Sequence, residues 1–203
     1  MVVMNESDTR KRGRPRSFDE KTVLDELTAL FWRKGYTQTS ISDLVEVSGV
    51  HKPSLYRIFG AKEELFAKLL RRYLDARMSM FETFIDSVEP GIEGIHTFLS
   101  LLSDDVISGT SQHGCLLVIS SVELEGTAPG FDDFGPAYRT ALRKHIVQLV
   151  ARAGGTNGLI NQRTDLLVTW LMGLDVTTRG AGNEPEIDRI INAMHATVDT
   201  WHS

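Results

Sequence analysis

The sequence predicts an all-α fold, and three observations carry that prediction. Apolar residues recur at i, i+3 and i+4 in successive stretches, the spacing that lines one face of a helix. After Glu89-Pro90-Gly91, glycine-rich breaks at Ser108 to Gly114, Gly126 to Gly130, Gly154 to Gly158 and Gly180 to Pro185 leave room for four or five further helices. The one strand-like run, CLLVI from Cys115, has no second strand candidate to pair with, so Cys115 to Leu124 reads as a buried helix.

Residues 1–17 lack apolar periodicity and form a basic arm. Arg10 to Arg16 carries five positive charges and no acid. Helix one is expected from about Phe18 to Gly35, opened by a Ser17–Glu20 capping box and buried along Val23, Leu24, Leu27, Leu30 and Phe31. Trp32 falls at the edge of that stripe, as a core or boundary residue.

Thr39 to Phe59 reads as two short helices around a tight turn. Ile41, Leu44 and Val45 share a face, Ser40 with Asp43 is a capping-box pair, and Gly49 supplies the turn. Leu55, Ile58 and Phe59 form the apolar face of the second helix, leaving Lys52, Ser54, Tyr56 and Arg57 on the other side. A donor-rich face of this kind suits a DNA major groove, and it equally suits a solvated helical hairpin. Helix four is expected from Ala61 to about residue 86, with Phe66, Leu69, Leu70, Tyr73, Met80 and Phe84 in register, long enough to tie the two halves together.

Composition bounds the function. The chain has 203 residues with 41% hydrophobic and 24% charged, which suits one or two compact units. A single cysteine excludes an intrachain disulfide and fits a reducing cytoplasm. Met1 to Met4 is too short for a signal core and no run reaches membrane-spanning length, so a soluble cytoplasmic protein with no membrane partner is expected. The net charge of −5 is unevenly spread: residues 1–60 hold ten Lys/Arg against eight Asp/Glu, and the remainder twelve against nineteen. A basic arm on an acidic body fits local phosphate contact.

From about Phe18 to Phe66 the chain resembles the DNA-binding domain of the tetracycline-repressor (TetR) family of bacterial regulators. The resemblance rests on Phe31, Gly35-Tyr36, Thr39-Ser40-Ile41, Ser48-Gly49-Val50, Ser54-Leu55-Tyr56, Phe59 and Lys62-Glu63-Glu64-Leu65-Phe66. Gly114-Cys115-Leu116-Leu117 also looks like a segment common in the family's second domain. The implied layout is a flexible basic arm (1–17), a three-helix DNA-binding domain with a helix-turn-helix (18–62), and a helical ligand-binding and dimerisation domain (63–203), with helix four as the bridge.

The resemblance implies phosphate contacts at Thr39, Tyr56 and Lys62; Lys52, Ser54 and Arg57 are the candidates for groove contacts, and Ser40 and Pro53 complete the expected DNA-binding set. Arg57 is the best candidate for a guanine, because its planar fork spans O6 and N7. Arg12-Gly13-Arg14-Pro15 resembles a minor-groove arm, with Arg12 and Arg14 favoured by a narrow groove's negative potential. Pro53 and His51 depart from the small residue and serine frequent in the family, and Ala61 stands where serine is common. The changes at Pro53 and His51 put the operator sequence in doubt rather than the activity, and Ala61 leaves helix four without its usual cap.

A palindromic double-stranded operator, a homodimer and a small apolar or amphipathic effector are the implied partners. The expected dimer stripes are Leu167, Trp170, Leu171 and Leu174, then Ile187, Ile190, Ile191, Met194, Val198 and Trp201. The expected effector pocket draws on Phe98, Leu101, Leu102, Cys115, Leu116, Leu117, Trp170 and Met172. No cofactor is expected: the histidines lack metal-ligand spacing, and one cysteine cannot anchor a zinc cluster. His113 and Cys115 are close in sequence, but a cysteine in an apolar run is most often an inert packing residue, so catalysis is not expected.

Overall fold

In a computed structural model, which describes residues 19–107, 113–124, 131, 133–179 and 184–201, helices follow one another along the chain. They are α1 (Glu20–Lys34), α2 (Ile41–Ser48), α3 (Lys52–Phe59), α4 (Lys62–Ser87), α5 (Ile92–Ile107), α6 (Leu116–Leu124), α7 (Phe134–Arg152), α8 (Asn157–Arg179) and α9 (Glu184–Asp199). No strand occurs among the described residues, and the strand-like run is helical.

The N-terminal helices are short, and packing holds them. At eight residues each, α2 and α3 are below the length at which a helix is stable alone. Leu44, Leu55 and Phe59 bury against Leu27 and Phe31 of α1 and Leu65, Phe66 and Leu69 of α4. The Phe31 and Phe66 rings lie 4.6 Å apart at their centroids. Local caps then fix the ends. Ser40 accepts from the Asp43 backbone N–H at 3.2 Å while Asp43 accepts from that of Ser40 at 2.7 Å. Gly49, in the left-handed region at φ 63°, turns the chain between α2 and α3. Helix one begins at Glu20 rather than Phe18, and its cap is Asp19, which accepts from the Lys21 N–H at 3.2 Å. Ser17 lies outside the described residues.

Ala61 occupies the N-cap of α4 and offers no oxygen; only Glu64 reaches back, accepting from the Ala61 N–H at 2.8 Å. Ala61→Ser completes this half-made box. It is expected to add about 1 kcal/mol and raise Tm by roughly 2–4 °C in thermal unfolding. At the other end of α4, Arg152 of α7 donates to the Ile85 carbonyl and, at 2.6 Å, to that of Val88.

The body packs α5 on α9, α7 on α8 and α4 on α7, with α6 between α7 and α8. Two expected breaks shift: Gly158 falls inside the first turn of α8, and Pro185 inside that of α9, where its missing N–H costs no helical bond. The stripes read as dimer surface turn out to be buried by the chain itself. Leu167, Leu171 and Leu174 of α8, and Ile187, Ile191, Met194 and Val198 of α9, are covered within one chain, while Trp170 and Trp201 are half-buried and stack on each other. The α5–α9 pairing, which joins segments far apart in sequence, absorbs the α9 stripe. The face that α8 turns outward is Leu159, Leu166, Trp170, Gly173 and Thr177, with Leu159 and Leu166 exposed.

Inside the body, Tyr73 and Arg77 of α4, Cys115, Tyr138 of α7 and Asp175 of α8 form a polar cluster. Burial pushes the Asp175 carboxyl up to about 6, against a smaller opposing pull from Arg77. A carboxyl raised on folding contributes stability that is full below its unfolded value and lost as pH climbs through its folded value. Asp175→Asn, which mimics the protonated form, is therefore expected to melt higher than wild type at pH 7.5, by about 1–2 kcal/mol, and to lose that advantage at pH 4. Melting curves across that window measure it.

Candidate nucleic-acid interface

The apolar side of α3 is sealed: Leu55 and Phe59 are buried and Ile58 is half-covered. What remains outside is His51, Lys52, Pro53, Tyr56 and Arg57, all exposed, with Ser54 partly so. Among the described residues neither Lys52 nor Arg57 has a carboxylate partner. Lys52 lies 5.9 Å from the Tyr56 ring, a loose cation–π contact that leaves its ammonium in solvent. Pro53 sits in the first turn of α3, where no helical bond is lost, and His51 holds the N-cap position without a capping bond from its side chain.

Two expected phosphate donors face inward instead. Thr39 is buried, and its hydroxyl donates to the Gly35 carbonyl at 2.6 Å. Lys62 donates to the Tyr36 carbonyl at 2.6 Å and packs over the Tyr36 ring at 4.1 Å; burial lowers its pKa. Both residues brace the loop between α1 and α2, a consequence of its fold back against α4. Ser40 is exposed but spends its oxygen in the cap. Asp43 joins that corner to Lys34 at 2.6 Å, and the Lys34 and Ser40 bonds hold its carboxyl well below the usual range. Arg12 and Arg14 lie outside the described residues.

A second set of contacts, which local sequence patterns did not reveal, joins this unit to the body. Glu123 of α6 accepts from the backbone N–H groups of Tyr36 at 3.0 Å and Thr37 at 2.7 Å. Trp32 donates through Nε1 to the Gly114 carbonyl at 2.7 Å, and Arg179 of α8 donates to the Trp32 carbonyl at 2.6 Å. Tyr36 donates to Glu63 at 3.0 Å, and burial, followed by Glu63, pushes its phenol up to about 12. Charge-assisted bonds from one carboxylate to two backbone donors fix the loop that precedes α2.

The residues named for an effector pocket do not assemble into one site. Phe98, Leu101 and Leu102 line a cavity of about 170 Å³ with Arg77, Met80, Phe81 and Phe84. Cys115, Leu116 and Leu117 are buried in the core, and Trp170 and Met172 are half-buried on α8; none of these lines that cavity. Burial pushes the Cys115 thiol up, which disfavours the thiolate. No helix among the described residues is long and apolar enough to cross a membrane.

Residues 23–69 match the model of bacterial regulatory proteins of the tetR family. The HTH-type transcriptional repressor ComR of Escherichia coli K12 is 31% identical over 140 residues, 68% of this chain and 64% of that protein. The alignment thus spans under two thirds of ComR. The repressor BdcR of the same strain is 23% identical over 177 residues, 87% of each chain. A cysteine mutant of the TetR family regulator CifR, solved with 26-bp double-strand operator DNA, superposes with TM-score 0.70 at 26% identity, over 93% of this chain and 100% of that one. The family match covers α1 to the first turns of α4, and the superposition on CifR extends over the helical body, so the chain belongs to the TetR family of bacterial regulatory proteins.

Proposed function

We propose that this chain is a homodimeric transcriptional repressor that binds a palindromic operator through α3 and is released by a small apolar or amphipathic effector. The observation that carries the reading is the outer face of α3. It sets Lys52 and Arg57, neither with a carboxylate partner among the described residues, beside a phenol, on a short helix whose other face is locked into a core. Tyr56 and Lys52, the latter expected in the groove but set exposed at the first residue of α3, contact phosphates and position the helix, and Arg57 reads a guanine. Residues 18–62 form the reader and 63–203 the regulatory and dimerising part, with α4 linking them.

Two-fold symmetry places the second reader about 34–36 Å away, or at another whole-turn spacing. The outward stripe Leu159, Leu166 and Trp170 supplies an apolar face for the partner, in place of the buried stripes. Supporting this reading are the names of ComR and BdcR, both repressors, and the operator DNA in the CifR complex. An effector that binds a splayed dimer better shifts the population away from the DNA-competent spacing.

Recovery of bound fragments from sheared genomic DNA, at low and raised salt, tests the function. A few discrete loci that persist at raised salt support a repressor. Uniform recovery at low salt that vanishes at raised salt supports a DNA-organising protein instead.

A further inference from the structure

Arg77 has a hydrogen-bonding nitrogen that the described residues leave without an acceptor. Its Nε is sealed from solvent with no hydrogen-bond partner. Its contacts are a cation–π approach to Phe81 at 5.6 Å and the electrostatic neighbourhood of Tyr73, Cys115, Tyr138 and Asp175. A buried guanidinium nitrogen left without an acceptor is costly, so a bound acceptor is the simplest account.

The cavity beside it narrows the identity of that partner. Its volume is about 170 Å³, and apart from Arg77 its lining is Met80, Phe81, Phe84, Phe98, Leu101 and Leu102. Arg77 is the one polar side chain among these lining residues, so the cavity suits an apolar body with a single anionic end. An apolar cavity of about 150 Å³ takes one benzene ring. Phe98 meets Phe81 at 5.8 Å and Phe84 at 5.6 Å, both tilted, the arrangement in which a further ring packs by its edge or face. Met80 and Leu101 are 48% and 42% exposed, which gives a way in.

We propose that this cavity binds a compact monocyclic carboxylate, its carboxylate forked on Arg77 and its ring among Phe81, Phe84 and Phe98. Arg77 belongs to α4, whose first turns pack on the reader, so occupancy pulls on the helix that sets the reader's position. That regulatory consequence rests on the effector-released repressor reading; the binding site does not.

The neighbouring groups give the site a pH signature. Tyr73, Tyr138 and Cys115 are all pushed up by burial and stay neutral between pH 5 and 8. Asp175 alone changes charge there, so an arriving carboxylate meets less repulsion as Asp175 takes its proton.

Calorimetric titration of the full chain with benzoate and with its neutral isostere benzamide tests the site without DNA. The expected result is saturable binding of one benzoate per chain, about tenfold or more tighter than benzamide. Benzoate affinity should rise a few-fold from pH 7.5 to 5.5, and that rise should be lost in Asp175→Asn. Arg77→Met should erase the preference for benzoate while keeping a cooperative melt. If that variant fails to fold, the wild-type contrast between the two probes decides. No saturable benzoate binding, or equal affinity for the two, overturns the proposal. Benzoate that binds yet leaves a DNA complex intact keeps the site and overturns its regulatory role. Benzoate binding by a protein that retains no duplex faults the repressor reading alone.

Discussion

Gly114→Ala is expected to be among the most damaging single-methyl additions in this protein. Gly114 has φ 67°, a left-handed conformation that a side chain disfavours. A Cβ at this position would be driven into the backbone carbonyl of Asp175, well inside contact distance, with Ile119 Cδ1 closing in at 3.3 Å. The first obstacle is helix backbone in α8 and cannot swing aside, while the half-buried Ile119 side-chain end can give only a little. The Gly114 carbonyl also accepts from Trp32 Nε1 at 2.7 Å, so a backbone shift at this point loosens the junction between α1 and the body. The expected cost is about 3 kcal/mol or more, a fall of roughly 6–12 °C in Tm. Gly49→Ala is the control: it shares the positive φ of 63° but meets no atom within 4 Å, so its cost should be about 1 kcal/mol.

The largest effect on binding is expected at Arg57. It is exposed, carries no ion pair among the described residues and leaves the protein core untouched when truncated. In a two-fold complex each half-site loses one bidentate base contact, at about 1–3 kcal/mol apiece. Arg57→Ala should therefore weaken binding to the preferred duplex by about 100-fold while relaxing choice at the paired base. Lys52→Ala should behave differently. It should weaken all duplexes alike and lower the salt slope by about one per protomer, as loss of a phosphate contact does. Anisotropy titrations against matched and mismatched duplexes at several salt concentrations separate the two.

How much of this was legible in the sequence depends on how far apart the interacting residues lie. The Ser40–Asp43 cap, the Gly49 turn and the buried Leu55 and Phe59 are local, and the spacing alone was enough to find them. The choice of helix over strand for Cys115 to Leu124 also followed from local counting, since no partner strand existed. Thr39 and Lys62, whose phosphate roles the resemblance implied, have contacts within the fold that no sequence pattern announces. Their donor chemistry suits phosphate, but the fold of the α1–α2 loop against α4 uses both donors on the carbonyls of Gly35 and Tyr36. The α8 and α9 stripes were assigned to a partner because nothing in the pattern says that α5 lies over α9 and α7 over α8. Glu123, eighty-seven residues from the Tyr36 N–H it holds, carries no sequence signal of that role. Arg77 sits inside an otherwise apolar helical stripe, and only the structure shows a cavity beside it and an Nε without an acceptor.

The central claim is that α3 reads DNA as one half of a symmetric pair. Selection of bound duplexes from a random DNA pool by the purified chain tests it most directly. The account predicts an enriched palindrome with half-sites about 34–36 Å apart, or at another whole-turn spacing. A folded protein that enriches no motif, or enriches one with no two-fold symmetry, would contradict it.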